Sequence, residues 1–139
     1  MRNHEEKAVK TNPVIHFEMP GEDRTRMAGF YTNVFGWKTQ KLGEEMGNYV
    51  VVTTTESNEH GRPKKPGAIN GGFFQKTDDK SSQYPLVVIQ VDDIREHMKK
   101  VQKAGGKVQG QPMDIPGVGL YVSFFDTEGN RVCMLQPRM

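Results

Sequence analysis

The sequence predicts an α+β fold in which a strand–helix–three-strand unit occurs twice, and three observations lead there. Apolar stretches rich in β-branched residues open both halves, "PVIHFEM" and "PLVVIQV". Each runs into a segment of helical periodicity that ends at glycine, "GEDRTRMAGFYTNVFG" and "IREHMKKVQKAGG". Each helix is then followed by three stretches of strand character separated by turn-forming clusters. At 139 residues the chain has about the length of one domain. The expected organisation is a polar tail over 1–12 and one domain over 13–137, with units at about 13–75 and 85–137 joined by a linker over 76–84.

The elements follow in order. After the first strand, Met27, Phe30, Tyr31 and Val34 recur at helical spacing, Glu22 and Asp23 stand at the helix start, and Gly36 stops it. "WKTQKLG" and "NYVVVTTTE" read as strands on either side of the turn cluster "GEEMG". A polar loop over 56–67, either a lid or a disordered hairpin loop, leads into "AINGGFFQ". The two glycines of that fourth strand point to a bulge or to close approach by another group. "KTDDKSSQYP" has linker composition. In the second half Ile94, Met98, Val101 and Ala104 share one helix face, "KVQGQPM" is a weak strand, and "LYVSFFD" pairs with "RVCMLQP" around the turn "TEGN".

Composition narrows the function. Nineteen basic against seventeen acidic side chains leave a net charge of +2, too little to make nucleic acid or an anionic membrane the expected partner. The basic run Arg62, Lys64, Lys65 reads as a solvated loop. No apolar run approaches the ~20 residues of a membrane span, and the polar start lacks the apolar core of a signal peptide, so a cytoplasmic location is expected. Cys133 is the single cysteine, which rules out an intrachain disulfide and a cysteine-based zinc site.

Alternation along the first strand sorts its side chains. Ile15, Phe17 and Met19 form an apolar face, matched in the second half by Val87, Ile89 and Val91, and this face is expected to lie under the helices. His16 and Glu18 share the other face and point into the space that a curved sheet encloses. Aligning the halves on their landmarks places Val88 at the position of His16 and Gln90 at that of Glu18. In "LYVSFF" the alternation leaves two sets open for the enclosed face: Tyr121, Ser123 and Phe125, or Leu120, Val122 and Phe124. Trp37, just after the helix stop, is as well placed for the core as for the site.

The order and spacing of "VIHFEMP", "FYTNVFGW", "INGGF", "VDDIREHMKKVQKAGGKV" and "FFDTEGNRVCMLQ" resemble the vicinal oxygen chelate superfamily, the glyoxalase I, bleomycin-resistance and extradiol dioxygenase group. The resemblance implies two βαβββ units forming a curved mixed sheet around a cleft, helices on the convex side, and a homodimer. It also implies metal ligands on the first and last strands of each unit. Carried over, those positions fall on His16, near Asn70, on Val88 and on Cys133. His16 suits a divalent transition metal, valine coordinates nothing, and an asparagine amide is a poor ligand. Glu18 and Gln90 are conceivable replacements.

The favoured expectation is therefore a protein that binds a small organic metabolite or xenobiotic in the cleft without the family's metal set. His16 and Glu18 form a hydrogen-bonded pair in that expectation, and Asn70, Gln90, Tyr121, Ser123 and Cys133 line the ligand site; in an enzyme His16 and Glu18 would be the catalytic acid–base pair. No cofactor is favoured. The alternative is a metal-dependent lyase, isomerase or dioxygenase with an unorthodox ligand set that includes His16.

Overall fold

The structure is a computed structural model and describes residues 10–138. The expected tail over 1–12 lies almost wholly outside the described residues; Lys10–Asn12 belong to no regular element. The elements run β1 (Val14–Gly21), α1 (Arg24–Phe35), β2 (Lys38–Lys41), β3 (Val50–Thr53) and β4 (Asn70–Gln75), then β5 (Leu86–Gln90), α2 (Ile94–Lys103), β6 (Lys107–Ile115), β7 (Gly119–Phe125) and β8 (Arg131–Pro137). Strand, helix and three strands thus follow one another twice.

All eight strands join one mixed sheet in the order β2-β3-β4-β1-β5-β8-β7-β6. The opening strand of each half pairs in parallel with the closing strand of the same half, β1 with β4 and β5 with β8. The halves meet where β1 runs antiparallel to β5. Both helices begin at an aspartate cap, Asp23 accepting from the Arg26 N–H and Asp93 from the Glu96 N–H, which satisfies donors that the first turn leaves unpaired. Gly36 ends α1 in the left-handed conformation glycine tolerates.

The helices cover one face. Beneath α1, Val50, Val52 and Phe73 form a buried cluster with Phe17, Met19, Met27, Ala28, Tyr31 and Trp37 against it. Beneath α2 the cluster is Val91, Ile94, Val122 and Met134. Fully burying one such side chain stabilises the fold by roughly 1.5–3 kcal/mol. Trp37 is settled as packing, its ring stacked on Tyr31 at a centroid distance of 4.7 Å. On the opposite face Leu86, Val88, Cys133 and Leu135 are buried together, with Ile15, Phe74 and Tyr121 against them.

Several expectations change. Phe30 and Val34 are 55% and 56% exposed, because the sheet meets the side of α1 carrying Met27, Ala28 and Tyr31. Ile15 leaves the helix face: the β1–β5 register shifts between Val14 and His16, and the extra residue turns Ile15 onto the Leu86 and Val88 cluster. The weak strand after α2 is nine residues long, and the turn cluster before β3 contains a short 3-10 turn over Glu44–Met46.

Candidate functional site

Strand pairing carries five side chains into a line across the face away from the helices. His16 stands opposite Asn70 on β4 and opposite Val88 on β5; Val88 stands opposite Cys133 on β8, and Cys133 opposite Ser123 on β7. The positions that the resemblance assigns to metal ligands are therefore neighbours here. One step along β1 on the same face lies Glu18, between Gly72 and Leu86.

Glu18 is 9% exposed. The Tyr49 hydroxyl, from the residue before β3, donates to its Oε2 at 2.8 Å, and the Tyr121 hydroxyl, from β7, donates to its Oε1 at 2.7 Å. The two contacts measure the curvature of the sheet. Three strand spacings separate β1 from β7, about 14 Å on a flat sheet, and a tyrosine side chain spans less than half of that. Only a sheet folded toward its open face brings that phenol onto β1.

Gly72 makes the other contact possible. A Cβ at this position would lie 1.8 Å from the Tyr49 Oη and 2.1 Å from its Cζ, so the ring crosses β4 through the space a side chain would fill. Gly71 has a separate reason: a Cβ there would stand 2.4 Å from the Phe17 carbonyl oxygen. The close approach expected from the paired glycines is thus present at both.

Burial sets the electrostatics. It raises the pKa of both phenols far above the ordinary tyrosine value, and the nearby Glu18 charge raises them further, so both stay protonated donors. Burial lowers the pKa of His16, with Glu18 opposing, and the imidazole is neutral near pH 7. Burial pushes the Cys133 thiol up to about 12. Among the described residues no lysine, arginine or histidine forms an ion pair with Glu18.

The expected His16–Glu18 hydrogen bond is absent; both carboxylate oxygens go to tyrosines, and His16 feels Glu18 only through its charge. Gln90 is not beside Glu18. The antiparallel junction reverses the direction in which β5 runs, so Leu86 faces Glu18 and Gln90 pairs with Leu135. Asn70 holds a loop: its Oδ1 accepts from the Thr54 N–H at 2.8 Å, and its Nδ2 donates to Ser57 Oγ at 2.9 Å and to the Gly61 carbonyl at 3.3 Å. The 56–67 segment so held forms a small turn closed by a Ser57–Pro63 bridge. Tyr121, Ser123 and Phe125 are the β7 set on the site face, since Val122 packs under α2. Ser123 donates to Gln109 on β6.

The donor set does not fit a divalent transition metal. Valine offers no atom, both ends of the Asn70 amide and both Glu18 oxygens are committed to other hydrogen bonds, and His16 and Cys133 remain as two donors where a catalytic site needs about three. Among the described residues no three His, Cys, Asp or Glu side chains come together. Glu18 with two phenols is instead a fixed, water-poor group of oxygens beside hydrocarbon. Sequence reasoning missed Tyr49; the signal was there, a glycine pair needing a neighbour and an aromatic residue opening the β-branched run that pairs with it.

Comparison with known proteins agrees with this topology. A family profile described as Glyoxalase/Bleomycin resistance protein/Dioxygenase superfamily matches residues 14–134. A glyoxylase-like domain-containing protein of Didymella fabae is 30% identical over 116 residues, 81% of this chain and 84% of that one. Among solved structures, a hypothetical protein of Bacillus halodurans C-125 superimposes with a TM-score of 0.66 at 12% identity, over 94% of this chain and 97% of that one. A Streptomyces coelicolor methylmalonyl-CoA epimerase does so at 0.63 and 14%, over 88% of this chain and 94% of that one. At these identities the structural likeness shows the fold alone.

Proposed function

From the premise that the chain belongs to the Glyoxalase/Bleomycin resistance protein/Dioxygenase superfamily, we propose that it binds a small organic molecule on the open face of its sheet without the superfamily's metal set. One observation carries the reading: a buried carboxylate, Glu18, drawn into contact with phenols from both halves of the chain. A structural core gains little from such a charge, since burying a carboxylate costs several kcal/mol that hydrogen bonds only partly offset. Apolar walls with a few fixed polar groups are the usual make-up of a small-molecule site.

In this reading the protein acts as a homodimer in the cytoplasm. Support for pairing comes from two sheet edges, β2 and β6, that no strand covers among the described residues, and from Phe30, Val34 and Phe35 standing exposed on α1. The test of binding is native mass spectrometry of the purified chain for a retained molecule, with a thermal-shift screen of metabolites and antibiotics. A ligand at about 100 times its Kd should stabilise the fold by about 2.7 kcal/mol, and Glu18→Gln should reduce the shift. If nothing co-purifies and no compound stabilises the protein, the reading is wrong.

A further inference from the structure

Resting on that reading, we infer that the bound molecule presents a protonated amine to Glu18. The hydrogen-bonding supply at the carboxylate and its two phenols is one-sided. Both tyrosine protons are spent on the carboxylate, so the two phenol oxygens and the two carboxylate oxygens offer only lone pairs to anything that arrives. An ammonium group brings three donors and no acceptor, an alcohol one donor, a carboxylate none.

Charge points the same way. Glu18 is buried and has no counter-ion among the described residues. The cationic group on the neighbouring stretch of β8, Arg131, is turned elsewhere: its guanidinium lies over the Phe74 ring at 5.7 Å and donates to the Ser81 carbonyl at 3.1 Å. His16 is neutral near pH 7 because burial lowers its pKa. A buried anion held by neutral donors is complemented best by a cation that replaces its lost hydration. Leu86, Val88 and Leu135 are buried hydrocarbon on the same face, so the surroundings of the carboxylate are apolar.

The test uses three probes of one shape and different charge: n-butylamine, n-butanol and butyrate, titrated at pH 7 and fixed salt into the intact chain with labelled methyls, reading Leu86, Val88 and Leu135 by two-dimensional NMR. Butylamine should bind at least about tenfold more tightly than butanol, and butyrate more weakly than either. Glu18→Gln should erase the preference for the amine while butanol still binds. Tyr121→Phe, which frees one carboxylate oxygen but keeps the charge, should retain the preference and serves if the glutamine variant does not fold. A butylamine affinity no better than that of butanol, a preference that survives Glu18→Gln, or its loss in Tyr121→Phe overturns the inference. Failure of all three probes to move these methyls overturns it too. Binding in general is decided by co-purification and thermal shift instead, so the amine preference can fail while small-molecule binding stands.

Discussion

Replacing Gly72 by alanine isolates the contact on which the site depends. The backbone of Gly72 lies outside the positive-φ region, so alanine brings no conformational strain, and the one new atom is a Cβ 1.8 Å from the Tyr49 Oη and 2.5 Å from its Cε2. Those atoms are the far end of a side chain, so the ring swings aside and the backbone stays. What is lost is the 2.8 Å bond from Tyr49 to Glu18. A hydrogen bond to a charged group contributes about 1.5–3 kcal/mol, and a buried carboxylate oxygen is left unsatisfied. Against this stands a gain of about 0.4–1 kcal/mol from the stiffer unfolded chain. The net expectation is a loss of about 1–2.5 kcal/mol, or a fall in Tm of roughly 4–10 °C for a chain of this size. Urea denaturation of the wild type, Gly72→Ala, Tyr49→Phe and the double variant checks it. Tyr49→Phe should cost a similar amount alone and much less in the alanine background, because the bond is already gone. Loss below about 0.5 kcal/mol in Gly72→Ala, or additive losses in the double variant, would refute the claim that the glycine exists for the tyrosine.

Four other outcomes follow from the same geometry. Cys133 is fully buried with its thiol pushed up to about 12, so a thiol reagent should label it only as fast as the protein unfolds; rapid labelling of the native state contradicts the burial. His16 has a folded pKa below its unfolded value of 6.5, so the unfolded state takes up the proton first and stability falls as pH drops below about 6.5. His16→Gln should flatten that fall, and an unchanged pH profile would argue against it. Asn70→Ala removes the acceptor of the Thr54 N–H and the clasp on Ser57 and Gly61, for an expected loss of about 1–3 kcal/mol and faster proteolysis within 56–67; equal cleavage rates would show that the loop is held some other way. Light scattering should give about twice the 15.7 kDa chain mass, and a monomer across micromolar concentrations removes the homodimer.

The sequence by itself determined the order of elements and the division of each strand into two faces. Aspartates placed one residue before each helix, glycines after α1 and α2, and β-branched runs bounded by turn residues are local signals, and local chemistry answers them. Parity along β1 likewise put His16 and Glu18 on one side, and the glycine pair of β4 announced a close neighbour. Tertiary structure alone decided who that neighbour was. Period-two alternation states which way a side chain points, without naming the strand beside it or the direction in which that strand runs. The antiparallel junction of β1 and β5 therefore exchanged Gln90 for Leu86 opposite Glu18, and a single extra residue at Ile15 moved one apolar side chain across the sheet. The meeting of Tyr121 with Glu18, 103 residues apart, depends on the accumulated bend of four strands, β1, β5, β8 and β7. Curvature of that kind is a collective property of the twisted sheet, and no local stretch of sequence carries it.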